Sequence, residues 1–168
     1  MRVWVRSEYA RELAVVFAWL AALVPWNVTY AVLGEFGTQL TVRFPLFQVR
    51  FLWFAAGGSQ ITARHAYAAL KLQGAQPTVP GYRAWVAGAA VVALAVLLSV
   101  ALYAAEQRVA SALRRPVQLM GGLLLVAGFL NAAATVLLWR LEPATVLVPV
   151  GVVFELAFGV LLLTAERV

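Results

Sequence analysis

The sequence predicts an all-α membrane protein: a four-transmembrane-helix bundle with an extracytoplasmic β-hairpin and a short interfacial helix between spans 1 and 2. Ala84 to Ala105 runs 22 residues without a charge, which at about 1.5 Å per residue reaches the roughly 30 Å of a bilayer core. Three further stretches are comparably apolar. A composition of 64% hydrophobic and 12% charged residues, with a mean hydropathy of +0.88, leaves too little polar surface for a globule in water. The 168 residues suit one integral membrane domain, 1–168, without room for a separate soluble catalytic domain.

Span 1 is expected at about 13–33, with a kink where Pro25 removes a backbone donor and crowds the preceding turn. The apolar run is long for a signal-peptide core and lacks an obvious cleavage site, so it reads as a retained helix. Residues 34–83 form an external excursion too long for a plain connector. Within it, Thr38 to Phe44 and part of Gln48 to Phe54 alternate polar and apolar side chains around Pro45-Leu46, the pattern of a β-hairpin. Gln60 to Leu72 places Ile61, His65, Ala68, Ala69 and Leu72 at helical spacing, the interfacial helix. Spans 2, 3 and 4 follow at about 84–105, 117–138 and 144–164. Trp4, Trp26, Trp85 and Trp139 stand near span ends, where an indole anchors a helix at the interface.

An even number of spans puts both termini on one side, and the basic residues choose the side. Arg2, Arg6 and Arg11 precede span 1, and Arg108, Arg114 and Arg115 lie between spans 2 and 3, against Arg140 alone between spans 3 and 4. Both termini are therefore expected in the cytoplasm of a multi-pass protein of the cell membrane. The net charge of +6 is scattered over loops and span flanks without forming a stripe, so anionic headgroups of the lipid bilayer, and no nucleic acid, are the expected counterions.

Chemistry is confined to few polar groups. Absence of cysteine excludes disulfides and thiolate sites, and with no Asp and His65 as the lone histidine, triads and zinc sites lack their ligands. No catalytic residue, cofactor or metal is called for, and the chain reads as non-enzymatic. Glu155, near the middle of span 4, is the sharpest single residue, because a carboxyl group at that depth costs several kcal/mol unless protonated, paired or hydrated. Gly151 and Gly159 lie one turn to either side and admit a close neighbour. Asn131 and Thr135 in span 3, with Asn27 in span 1, complete a candidate intramembrane polar cluster around Glu155. Its bland role is a carboxyl hydrogen-bonded to an amide that sets helix register; its functional role would be proton or cation handling.

SEYARELAVVFAWLAALVPWNV at the start, VRFPLFQVRFLW in the hairpin, and TVLLWR with the PVGVVF of span 4 together resemble a family of small four-span membrane proteins from halophilic archaea. That resemblance spans most of the chain, implies the four-span architecture and transfers no catalytic residue. Phe44, Phe47, Phe51, Trp53 and Phe54 would give the hairpin an aromatic docking face. The leading expectation is a scaffold or accessory subunit of an envelope complex, bound to a membrane-protein partner or a second copy of itself. The alternative is a small proton-coupled transporter or channel with Glu155 as the titrating group.

Overall fold

A computed structural model describes residues 9–105, 113, 115–141 and 145–164. Its elements, in chain order, are α1 (Ala10–Leu23), β1 (Asn27–Val32), a 3₁₀ turn (Gly34–Phe36), β2 (Gly37–Arg43), β3 (Phe47–Phe54), β4 (Ser59–His65), α2 (Ala66–Lys71), α3 (Val79–Ala104), α4 (Pro116–Leu141), β5 (Thr145–Val148) and α5 (Val150–Thr164). The strands form one antiparallel sheet in the order β4-β3-β2-β1-β5.

The expected all-α bundle of four transmembrane helices is therefore overturned. The protein is mixed α/β, and only α3 and α4 among its described helices are long and apolar enough to cross a bilayer. Each spans 26 residues, about 39 Å of helix. The expected first and fourth spans are each divided between a helix and a strand by a proline. A residue before proline is pushed out of the helical region, and Val24, before Pro25, is extended at φ −78° and ψ 130°. Pro25 thus ends α1 after 14 residues instead of kinking a longer helix, and the β-branched alternation of Asn27–Val32 continues as a strand. Val148, before Pro149, likewise closes β5, leaving α5 with 15 residues, about 22 Å.

The hairpin expected around Pro45-Leu46 is β2–β3, two strands of the larger sheet; Phe44 N–H donates to Phe47 O at 2.8 Å. The helix expected from Gln60 is mostly strand. Gln60, Thr62 and Arg64 alternate with Ile61, Ala63 and His65, and this period of two wins because β3 offers its edge for pairing. A turn containing Gly57 and Gly58, at φ 98° and 92°, makes the connection from β3. Helix begins only after His65, whose Nδ1 accepts from Ala68 N–H at 3.3 Å and caps α2.

The sheet sits at one end of the helices. Trp85 Nε1–H donates to the carbonyls of Phe44 and Pro45 at 3.1 and 2.9 Å, tying α3 to the β2–β3 turn. Trp26, Tyr82, Trp85, Leu138 and Val152 form the core at this junction, with the Trp26 and Trp85 rings 6.0 Å apart. These two tryptophans are fully buried and are not interface anchors; Trp139 is exposed, and Trp4 lies outside the described residues. Arg2, Arg6, Arg108 and Arg114, on which the expected orientation leans, lie outside the described residues.

Farther from the sheet the helices meet through small residues. Ala14, Ala18 and Ala21 of α1 are buried with Ala95, Leu102, Met120, Leu124 and Leu162. Along the α4–α5 seam a Cβ added at Gly121 would stand 2.9 Å from Gly159 O, and one added at Gly128 would stand 2.8 Å from Leu156 Cδ2. One added at Gly159 would meet Leu125 Cγ at 2.6 Å. The two backbones approach as closely as glycine permits. The large apolar side chains face outward, among them Leu94 and Leu97 on α3, Val126 and Phe129 on α4, and Val153 and Val160 on α5.

Candidate functional site

Strand alternation sorts the sheet into two unlike faces. One face is apolar and open: Val146, Tyr30, Leu40, Phe51 and Ile61 oppose one another in a row across all five strands, with Val148, Val28, Val42 and Val49 in the next. Val146 and Ile61, at the two edges, are 65% and 66% exposed. The other face is polar and turned toward α3. Asn27, Arg43, Gln48 and Arg64 form one row there, and Thr29, Thr41, Arg50 and Thr62 the next.

Arg43 is the centre of the polar face and is only 2% exposed. Its Nη1 donates to Asn27 Oδ1 at 3.2 Å and to Thr29 Oγ1, and its Nη2 to the Tyr82 hydroxyl at 3.3 Å. The guanidinium carbon lies 5.7 Å from the centre of the Tyr82 ring. These partners orient the cation without neutralising it. Between this face and the segment after α2 lies a cavity of about 400 Å³, lined by Gln39, Arg43, Gln48, Arg50, Thr62, Arg64, Leu72, Gln73, Gln76 and Tyr82. No Asp or Glu stands among those residues. The Nε groups of Arg43 and Arg50 and the Gln48 Oε1 are buried without a hydrogen-bond partner. The lining offers N–H and O–H donors with three positive charges, Arg43 among them held in place by its hydrogen bonds, and suits an anion.

The expected polar cluster divides into two. Asn131 Nδ2 donates to both Glu155 carboxyl oxygens, each at 2.9 Å, joining α4 to α5. Glu155 is 1% exposed, and a Cβ added at Gly128 would lie 3.3 Å from its Cβ. Asn131 Oδ1 has no partner and faces Gly88 of α3, where an added Cβ would stand 2.6 Å away. Thr135 turns back along its own helix, its Oγ1–H donating to Asn131 O at 2.9 Å. Asn27 belongs to the Arg43 group on the sheet, with Thr29 Oγ1–H donating to its Oδ1 at 2.7 Å. Glu155 does not stand among the residues that line the Arg43 cavity.

The expected docking aromatics do not share one face. Phe47, Phe51 and Trp53 point to the open apolar side, with Phe51 and Trp53 stacked at 6.1 Å; Phe54 is on the opposite face at the strand end. Phe44 is half-buried in the turn and stacks on Phe47 at 4.5 Å. The arginine-lined cavity is not among the sites expected from the sequence. Its signal was readable in the period-two runs Gln39-Thr41-Arg43, Gln48-Arg50 and Gln60-Thr62-Arg64, once Ser59–His65 is read as strand.

Residues 3–167 match a family described as a family of unknown function (DUF7549). The chain belongs to this family. No curated protein matches it. Membership covers the helices and the sheet together, so both the Arg43 cavity and the Glu155–Asn131 pair lie within the family region.

Proposed function

We propose that this chain is a non-enzymatic integral membrane protein that serves as a scaffold or accessory subunit of a cell-envelope complex. The observation that carries the reading is the dressing of its helices: alanine, glycine, Asn131 and Glu155 stand inside beside a few large side chains such as Leu124 and Leu138, while Leu94, Leu97, Val126, Phe129, Val153 and Val160 face outward. In water that distribution exposes the side chains that drive folding, whereas in hydrocarbon it leaves them with the solvent they match and lets small residues bring helices together. Helices α3 and α4 have the length to cross, and α1 and α5 pack beside them. Termini in the cytoplasm, and kinship with small membrane proteins of halophilic archaea, belong to the same reading.

The accessory role draws on the open apolar face of the sheet, which another envelope protein would cover. The Glu155 carboxyl, sealed at the α4–α5 contact and bonded to an amide, favours a register-setting role over proton transport. The test is twofold. The full-length chain should stay in the membrane pellet after an alkaline carbonate wash, and recovery in the supernatant refutes membrane integration. A stoichiometric protein partner retained from native membranes should be lost when Ile61 and Tyr30 are changed to Asp, and an unchanged set of partners refutes the docking role.

A further inference from the structure

Three neighbouring strands each bring an arginine to the inner face of the sheet: Arg43 on β2, Arg50 on β3 and Arg64 on β4. We propose that the cavity they line binds a phosphate-bearing anion. The register explains their convergence. Arg43 and Arg64 both stand opposite Gln48, and Arg50 lies two residues along the same strand, so each arginine is a diagonal neighbour of the next on one face. Diagonal neighbours in an antiparallel sheet are about 7–8 Å apart at the backbone, close enough for long guanidinium side chains to meet on a single group.

Like charges so placed repel one another, and among the described residues no carboxylate lines the cavity to offset them. Arg43 is withdrawn from water among neutral acceptors, an expensive state for a cation without a counter-charge. Among the described residues the buried Nε donors of Arg43 and Arg50, both lining the cavity, have no partner, so N–H groups remain to be satisfied. An oxyanion answers all three conditions together. Phosphate suits the site better than carboxylate: one carboxylate occupies one guanidinium fork, whereas the three terminal oxygens of a phosphate monoester can engage several forks from different directions. The 400 Å³ also exceeds what a bare phosphate needs and leaves space for the organic group it esterifies, with the Tyr82 ring as an apolar wall. The phosphate can belong to a lipid headgroup or to a soluble phosphate ester.

The sources separate experimentally on the full-length protein. In detergent at constant ionic strength, inorganic phosphate is titrated by calorimetry with chloride as control. In nanodiscs of phosphatidylcholine with or without phosphatidic acid, thermal unfolding is followed. The variants are R50Q/R64Q, with R64Q alone at the exposed rim should the pair fail to fold, and R83Q as a control outside the cavity. Saturable phosphate binding that weakens about tenfold or more in R50Q/R64Q and is unchanged in R83Q supports the site and a soluble ligand. Absence of phosphate binding combined with protection by phosphatidic acid that R50Q/R64Q abolishes supports the site and assigns the lipid. Without ligand, R50Q/R64Q should melt no lower than the unchanged protein, because the substitution removes repulsion. No response to either probe, an undiminished response in R50Q/R64Q, or an equal loss in R83Q overturns the proposal.

Discussion

Gly151 is where α5 meets the end of α1, and adding one methyl there should measurably loosen the whole junction. Its N–H donates to Pro25 O at 2.9 Å. A Cβ on it would stand 2.7 Å from Trp26 Cα, 2.8 Å from Pro25 O and 3.0 Å from Trp26 N. All three are backbone atoms with no rotamer to change, so Gly151→Ala must push α5 away from the Pro25–Trp26 segment. Overpacking of this kind costs about 1–3 kcal/mol, and loss of the Gly151–Pro25 hydrogen bond about 1 kcal/mol more. Alanine returns up to about 1 kcal/mol through its better helix propensity, leaving a net loss of about 2 kcal/mol. At this chain length that is a fall in Tm of about 4–8 °C, read by near-UV circular dichroism or tryptophan fluorescence in detergent. Gly122→Ala is the matched control, since nothing lies within 4 Å of its added Cβ, and it should hold or raise Tm. A Gly151→Ala protein that melts with the unchanged one, or a Gly122→Ala protein that falls as far, refutes the close crossing.

Other expectations follow from the same contacts. Asn131→Leu removes both donors to the Glu155 carboxyl and should destabilise the protein by about 1–3 kcal/mol in a thermal melt. Glu155→Gln should cost less than about 1 kcal/mol, because its amide can still pair with Asn131, whose Oδ1 lacks a partner; a larger loss than Asn131→Leu contradicts this. Trp85→Phe keeps a ring at the junction and loses the bonds to Phe44 and Pro45, so Tm should drop by an amount equivalent to about 1 kcal/mol. Gly58→Ala, at φ 92° in open space, should lose about 1 kcal/mol through backbone strain alone, checked by the denaturation midpoint.

The two long helices were legible because apolarity and length both exceed what a strand needs, as in the uncharged run from Ala84. The sheet was legible only at its centre. Thr38 to Phe44 and part of Gln48 to Phe54 alternate visibly, but β1 and β5 are short apolar strands joined to apolar helices, and hydropathy alone continues across the joint. Pro25 and Pro149 carried the missing information, since the residue before a proline resists helical geometry. Ile61 and His65 of β4 continue the helical stripe that Ala68 and Ala69 form in α2, and tertiary pairing with β3 overrode it up to His65. The Glu155–Asn131 pairing was within reach because both residues sit on uninterrupted helices. Asn27 belongs elsewhere because the helix that would have carried it stops before reaching it. Arg43, Arg50 and Arg64 each stand in a period-two run, but only the pairing of their strands brings the three together.

Glycines that let α4 and α5 touch also forbid those helices from sliding. Shifting one past the other by a residue would bring a side chain to Gly121, Gly128 or Gly159, where the opposite surface leaves no room for it. Rotation of α5 meets the same obstacle. The pair behaves as a rigid strut with one permitted engagement, and the carboxyl group of Glu155 is clamped toward Asn131 by the shape of the seam as well as by its hydrogen bonds.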